Sequence, residues 1–276
     1  FDVARGTVSS FSLRMGKTRA RNMQGGYEQL FETVFIDYLN ETRDFNLTQK
    51  AGTTFVNPPD PGSFGGLLNK TSNSAAIGMD WDWPEIRGSG FYTEGHHERA
   101  WIFTSNSAWG SDTEFSQVYV SSRLNLLAGD HWKFLLRAEA GYSDAKTSRV
   151  IIPVDENELV VSVTELPYQY RFKAGGSRSV RGYAFELLDS NGLGSNNILT
   201  ASAEVEYRFH ADWSAAAFID MGNAFNDWSS PDLKLGTGFG LRWYSKIGAL
   251  RLDVAQGLDL QGDPWRIHLT IGTPLL

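Results

Sequence analysis

The sequence predicts an all-β protein, a transmembrane antiparallel β-barrel of about twelve strands. Three observations lead to this fold class. Apolar and polar residues alternate with a period of two in many short segments, and the connections between them alternate between short and long. No stretch reaches the roughly eighteen consecutive apolar residues of a membrane helix. Hydrophobic residues make up 41% of the 276 residues, and 28 glycines and 9 tryptophans are spread over the chain, as in a turn-rich β protein.

The alternation is clearest in the second half of the chain. Successive side chains of a strand point to opposite faces, so 199–210 places Val205 and Tyr207 on one face and Glu204 and Glu206 on the other. The segments 233–244, 249–255 and 265–271 divide in the same way, and weaker alternation occurs at roughly 5–17, 26–42, 74–85, 95–108, 114–128 and 131–143. Each of these segments is predicted to be a strand.

A soluble sandwich or lipocalin-like barrel would also alternate, with its apolar face turned inward. Paired opposite charges and glycines crowd the polar faces here, which favours a wet lumen. Tight turns are predicted at 128–131, 210–213 and 245–248, and longer connections at 144–198, 222–232 and 256–264. Outer-membrane barrels combine short periplasmic turns with long external loops. Trp132, Trp213 and Trp243 lie beside the short turns, where an interfacial girdle is expected.

The strand count depends on how the first part of the chain is completed. Six alternating segments precede the long connection at 144–198 and five follow it. Single-chain bacterial barrels usually have an even number of strands, so a twelfth is expected at the N-terminus or within 43–73 or 162–175. The alternative is that residues 1–276 form part of a 16-stranded barrel. The chain opens at Phe1 with neither methionine nor signal peptide, so an upstream segment is expected to have been processed away or to lie outside this sequence.

Composition excludes several classes of function. The net charge of −7 argues against nucleic acid as a partner. The absence of cysteine excludes disulfides, thiolate metal sites and cysteine nucleophiles. We predict no cofactor and no metal ion.

Four motifs occur in order along the second half of the chain. Their residues are Val180, Arg181, Gly182 and Tyr183 in the long connection, Phe218, Asp220 and Gly222 in the next strand but one, Gly238 and Gly240 in a glycine-rich strand, and 247–253 after it. This ordered set resembles the barrel domain of the BamA/TamA superfamily, whose members assemble or translocate proteins at the bacterial outer membrane. The resemblance implies that the Val-Arg-Gly-Tyr loop is extracellular and folds back into the barrel lumen. POTRA domains, which typically precede such barrels, are not visible in this sequence.

The loop arginine requires partners, because an unpaired charge in a confined lumen is costly. Glu206 faces the lumen by the alternation, and the family pattern places carboxylates there and at Asp220. We therefore expect Arg181 to bridge Glu206 and Asp220 through bidentate hydrogen bonds. Whether this triad only pins the loop or takes part in a working cycle stays open at this point.

The resemblance implies insertion, assembly or translocation of outer-membrane proteins, with lipid and a client or periplasmic protein as partners. The alternatives are a passive pore, or a POTRA-less barrel that anchors or remodels lipid for a periplasmic or fused enzyme. A homodimer along a lipid-facing seam is a hypothesis that rests on the short front end of the barrel.

An enzymatic barrel, such as a phospholipase or protease, would need a nucleophile with a base in reach. No GxSxG elbow accompanies the five histidines, which are His96, His97, His131, His210 and His268. We therefore predict that the chain is not an enzyme and has no catalytic residue. Adjacent His96 and His97 point to opposite faces of a strand, which argues against a shared metal ion.

Overall fold

The computed structural model describes residues 5–44, 70–154, 157–189, 193–245, 248–260 and 265–272. Eleven β-strands form one antiparallel sheet, and two more form a separate hairpin. In chain order the strands are β1 (Arg5–Met23), β2 (Gly26–Asp44), β3 (Lys70–Arg87), β4 (Glu94–Ser105), β5 (Phe115–Ala128), β6 (Trp132–Ala145), β7 (Thr147–Val154), β8 (Asn157–Thr164), β9 (Asn197–His210), β10 (Trp213–Phe225), β11 (Lys234–Ser245), β12 (Gly248–Gly257) and β13 (Trp265–Ile271). No helix in these ranges is long and apolar enough to cross a bilayer.

Each strand of the main sheet pairs with the next one along the chain, except that β6 pairs with β9 across the β7–β8 hairpin. Six strands therefore precede the hairpin and five follow it, which confirms the six and five predicted segments. The all-β antiparallel class is confirmed, with eleven strands in the described part of the sheet beside the predicted total of about twelve. Residues 45–69, within one place named for a twelfth strand, lie outside the described residues, and β8 occupies the start of 162–175.

The two faces of the sheet follow the predicted alternation. On the outer face, Leu13 lies opposite Ile36 and Ile102 opposite Val118, and all four side chains are exposed. On the other face, which we call lumenal because the long loop packs against it, Glu204 and Glu206 are buried. The outer face therefore has an apolar band open to lipid, with charged pairs such as Arg19–Glu32 and Arg87–Glu85 towards the short-turn end, whereas the buried charges point inward.

Three tryptophans lie beside the short turns, as predicted. Trp132 begins β6, and Trp213 of β10 stacks on Trp243 of β11 with ring centroids 6.3 Å apart. All three are exposed on the outer face. Amphipathic rings in this position suit the boundary between lipid and water. We call this boundary the short-turn end of the sheet, and the opposite one the long-loop end.

The two edge strands of the described sheet run in the same direction. Every neighbouring pair from β1 to β13 is antiparallel, and eleven strands lie in this order. The first and the last strand therefore both run from the long-loop end towards the short-turn end. Within the described residues β1 pairs only with β2, and β13 only with β12.

Candidate functional site

The loop between β8 and β9 folds onto the lumenal face of the sheet. Two isolated bridges, Phe172 with Ser195 and Ala174 with Leu188, fold the segment back on itself. Val180, at the start of the predicted motif, is completely buried in a hydrophobic cluster with Phe172, Ala174 and Leu188. The expected insertion of the loop is thus seen directly, because an external loop would leave these apolar side chains in water.

Arg181 is the centre of the loop contact. Its guanidinium donates from Nε and Nη2 to the two carboxylate oxygens of Asp220, at 2.7 and 2.9 Å. Its Nη1 donates to Glu204 at 2.6 Å and to Asp253 at 3.3 Å. The Phe218 ring packs against it, with the centroid 3.3 Å from Cζ. Three carboxylates on β9, β10 and β12 and one aromatic ring therefore hold this side chain.

The structure places Asp220 in contact with Arg181, as expected, but the partner of Arg181 on β9 is Glu204 and not the expected Glu206. Glu204 takes that place, because alternation identifies the face of a strand but not the level at which a loop enters. The two glutamates share the lumenal face and lie two residues apart, about 6.7 Å along the strand. Glu204 is opposite Phe218 in register, which is the level of Arg181. Glu206 is nearer the short-turn end, where it accepts hydrogen bonds from Ser214 and Tyr244.

The glycines of the motifs provide the space for this approach. Gly182 has a φ of +92°, and a Cβ there would lie 2.5 Å from backbone atoms of β12. Gly236 on β11 faces the loop, and a Cβ there would lie 2.0 Å from the carbonyl oxygen of Arg181. Gly238 leaves room for the ring of Phe218, and Gly240 for the carboxylate of Asp253. Gly222 lies on β10, where a Cβ would approach β9.

Tyr183 fixes the other end of the motif. Its hydroxyl lies 3.0 Å from the carbonyl oxygen of Leu235 and 2.9 Å from Asp259. Burial raises the pKa of Tyr183 to about 12. The Leu235 amide, which donates to Asp259, lowers the pKa of that carboxyl, and the Tyr183 hydroxyl adds to the effect. Both shifts keep the pair as phenol and carboxylate at neutral pH.

A chain of contacts continues from the loop site towards the short-turn end. Arg242 on β11 joins the two glutamates, with Nη2 2.8 Å from Glu204 and Nε 3.5 Å from Glu206. Tyr244 donates to Glu206 at 2.5 Å and accepts from the buried Lys133 at 3.2 Å. The loop site and the short-turn end are therefore linked by charged and hydrogen-bonded groups along the lumenal wall.

The turn between β3 and β4 packs against this chain of contacts at the short-turn end. Phe91 in that turn is buried against Tyr244, with ring centroids 5.8 Å apart, and the Lys133 ammonium lies 5.1 Å from its centroid. In the order of the sheet, β5, β6, β9 and β10 separate β4 from β11. The turn therefore reaches across the lumenal side to the opposite wall.

The Tyr244 hydroxyl is a single group whose removal interrupts this chain. We expect Tyr244→Phe to lower the free energy of unfolding by about 1–3 kcal/mol, since Glu206 and Lys133 both lose a buried partner. Urea unfolding followed by tryptophan fluorescence in lipid vesicles measures this. Tyr142→Phe, on the exposed outer face of β6, is the control and should change little. Equal stability of the two variants would contradict the role given to the hydroxyl.

Sequence reasoning missed Glu204, Asp253, Arg242 and Lys133 as members of the site. The signal for Glu204 was present, because it shares the face of Glu206. Asp253 and Arg242 also lay on predicted polar faces, but alternation does not show which charges meet across a lumen. The histidines behave as predicted in one respect: His97 contacts Asp82 on the lumenal face, whereas His96 contacts Glu85 and Glu98 on the outer face.

An antiparallel sheet with an apolar band on its outer face, a charged lumenal face and a long loop packed against that face is typical of an outer-membrane β-barrel. The particular family follows from comparison with known proteins. Residues 12–274 match the Omp85 superfamily domain, and the chain belongs to that superfamily. It is therefore a bacterial outer-membrane protein, and the resemblance to BamA/TamA barrels is confirmed.

Two solved structures have similar folds. One is BamA from Haemophilus ducreyi lacking POTRA domains 1–3, with a TM-score of 0.60 and 15% identity over 96% of this chain and 53% of that chain. The other is CdiB from Acinetobacter baumannii, with a TM-score of 0.51 and 15% identity over 96% of this chain and 42% of that chain. The chain thus spans about half of the length of the structures that it matches.

Proposed function

We propose that this chain is the barrel of a factor that inserts or translocates proteins at the outer membrane. The observation that carries the proposal is the loop that Arg181 holds against Glu204, Asp220 and Asp253. Such a contact needs no covalent chemistry, and it orders the lumenal face beside the strands that follow the loop. Membership in the Omp85 superfamily supports the same class of activity.

The edges of the sheet suggest how a client is received. β1 exposes Phe11, Leu13 and Met15 on its outer face, and the edge of β1 that no described strand covers can act as a template for another strand. Strand addition to an edge gives affinity through main-chain hydrogen bonds and tolerates many sequences. Because β1 and β13 run in the same direction, one strand that pairs antiparallel with both must run from the short-turn end outwards. In this proposal the short-turn end is periplasmic and the client enters from there.

The homodimer predicted from the sequence stays a prediction, but strand direction limits its form. Two copies inserted in one membrane with the same orientation present β1 and β13 running in the same direction. Any pairing between the edges of the two described sheets is therefore parallel, and parallel pairs are slightly less stable per residue. We propose lipid and a client protein, rather than a second copy, as the partners of this edge.

Site-specific crosslinking tests the proposal, since the chain has no cysteine of its own. Single variants Ser10→Cys on β1 and Thr270→Cys on β13 are combined with a client barrel that carries one cysteine in its last strand. We expect a disulfide to both edge positions while the client assembles. Ser121→Cys, on the lumenal face of β5 inside the sheet, is the matched control, because Ser10 and Thr270 also lie on the lumenal face, and it should not react. Equal crosslinking at all three positions, or client assembly that proceeds without this chain, would exclude the proposal.

A further inference from the structure

A cavity between the docked loop and the wall of β4 to β6 is strongly basic. Its volume is about 980 Å³, and it is lined by six arginines but only two carboxylates, Asp82 and Glu204. The arginines are Arg99, Arg123, Arg137, Arg178, Arg181 and Arg251. The chain as a whole has a net charge of −7, so this wall has the opposite sign to the rest of the protein.

Three of the six arginines donate hydrogen bonds to carboxylates. Arg99 donates to Asp80 at 3.2 Å, and Arg251 to Glu204 at 2.7 Å. Arg181 is held by the loop site described above. The charges of these three side chains are compensated within the protein, and they contribute little to the binding of another anion.

The other three arginines are not compensated in this way. Arg123 and Arg178 have no hydrogen-bond or ion-pair partner among the described residues. Arg137 donates to the carbonyl oxygen of Ser179 at 2.5 Å and lies 4.0 Å from Asp220, but its buried Nε has no partner there. Glu139, two residues further along β6, already accepts hydrogen bonds from Tyr119 and Thr200.

Register brings two of these arginines together. Arg123 on β5 lies directly opposite Arg137 on β6, and His97 on β4 lies on the other side of Arg123. Like charges that face each other across two strands destabilise a sheet. Arg178 faces the same cavity from the loop. An anion between the three guanidinium groups would remove this repulsion and supply the missing acceptors.

We propose that Arg123, Arg137 and Arg178 form a binding site for a phosphate-bearing ligand in the lumen. The guanidinium fork matches the geometry of phosphate oxygens and donates two hydrogen bonds at once. Ser121 and Ser177 line the same cavity and offer hydroxyl donors. Because Arg178 is on the loop and the other two arginines are on the wall, the bound anion bridges loop and barrel. The site does not depend on the function proposed above.

Calorimetry with pyrophosphate tests the site in the protein solubilised in an uncharged detergent. We expect saturable binding of pyrophosphate to the unaltered protein. The double variant Arg123→Gln with Arg178→Gln should bind at least about tenfold more weakly, because a tenfold change corresponds to the loss of a single charge-assisted hydrogen bond. Arg87→Gln, on the outer face, is the control and should bind as the unaltered protein does. Arg123→Lys keeps the charge without the fork and should weaken binding several-fold, which tests the site even if the double variant does not fold.

A second experiment distinguishes the two possible sources of the phosphate, a lipid headgroup and a free anion. Thermal unfolding is compared in nanodiscs of phosphatidylcholine alone and of phosphatidylcholine with phosphatidic acid. Stabilisation by phosphatidic acid that Arg123→Lys diminishes identifies a lipid headgroup, whereas stabilisation by added pyrophosphate alone identifies a free anion. Binding that sodium chloride of equal ionic strength reproduces, or that the arginine variants leave unchanged, overturns the proposal.

Discussion

Arg181→Ala should release the loop from the lumen and lower the free energy of unfolding by roughly 3–5 kcal/mol. The substitution leaves Glu204, Asp220 and Asp253 buried without the cation that all three share. Removing one partner from a buried charge network costs more than the network contributes, since the remaining charges stay desolvated. Arg242 and Arg251 compensate Glu204 in part, and Arg242 compensates Asp253. Asp220 keeps Ser202, the more distant Arg137 and, while the loop stays in place, the backbone amide of residue 181.

Two measurements check this result. Urea unfolding in vesicles gives the stability, and limited proteolysis of the folded protein reports exposure of 165–196. Both the stability and the loop protection of Arg181→Lys should lie between those of the unaltered protein and those of Arg181→Ala. Lysine keeps the charge but not the bidentate contact with Asp220. Leu187→Ala is the matched control in the same loop, where the side chain is exposed. A loop that stays protected in Arg181→Ala would contradict the central place of this residue.

Gly236→Ala should also displace the loop, in this case by a change on β11 rather than on the loop itself. A methyl group at this position would lie 2.0 Å from the carbonyl oxygen of Arg181 and 3.5 Å from Val180. Neither the β11 backbone nor the loop backbone can move independently, because the strand is paired on both sides and the loop is held by Tyr183 and Arg181. We therefore expect the loop to be displaced while the strands still form.

The same proteolysis assay distinguishes this effect from a general loss of stability. Gly16→Ala on β1 is the matched control, since its nearest neighbour would be the Thr33 hydroxyl at 3.1 Å, which belongs to a side chain that can rotate. The expected result is rapid cleavage of the loop in Gly236→Ala and none in Gly16→Ala. Equal protection of the loop in both variants would show that the close approach at Gly236 is not required.

Much of the fold could be predicted because a strand with one face in lipid must alternate. The faces of β9 and β11, the six and five strands and the girdle tryptophans all follow from that constraint. The contact between Arg181 and Asp220 was also within reach, since a buried arginine needs a carboxylate and the motifs named both residues. These predictions depend on local sequence and on one solvent boundary.

The features of the fold and site that could not be predicted depend on where elements distant in sequence meet. Alternation gave Glu204 and Glu206 the same face, and only the level of the loop decides which of them Arg181 contacts. The reach of Phe91 across the lumenal side is set by the curvature of the sheet and the shape of one turn. The β7–β8 hairpin interrupts the long connection without any role in the alternation of the main sheet. Single-strand patterns contain none of this information.

The shared direction of β1 and β13 has an arithmetic consequence. The described sheet has eleven strands, so closing it with antiparallel pairs alone requires an odd number of additional strands. The total is then even, as is usual for single-chain bacterial barrels, and both twelve and sixteen satisfy this condition. One outward-running strand completes the circle, whereas two leave a parallel junction somewhere around it. Whether added strands can close this barrel with antiparallel pairs alone therefore depends on whether their number is odd, and not on their sequence.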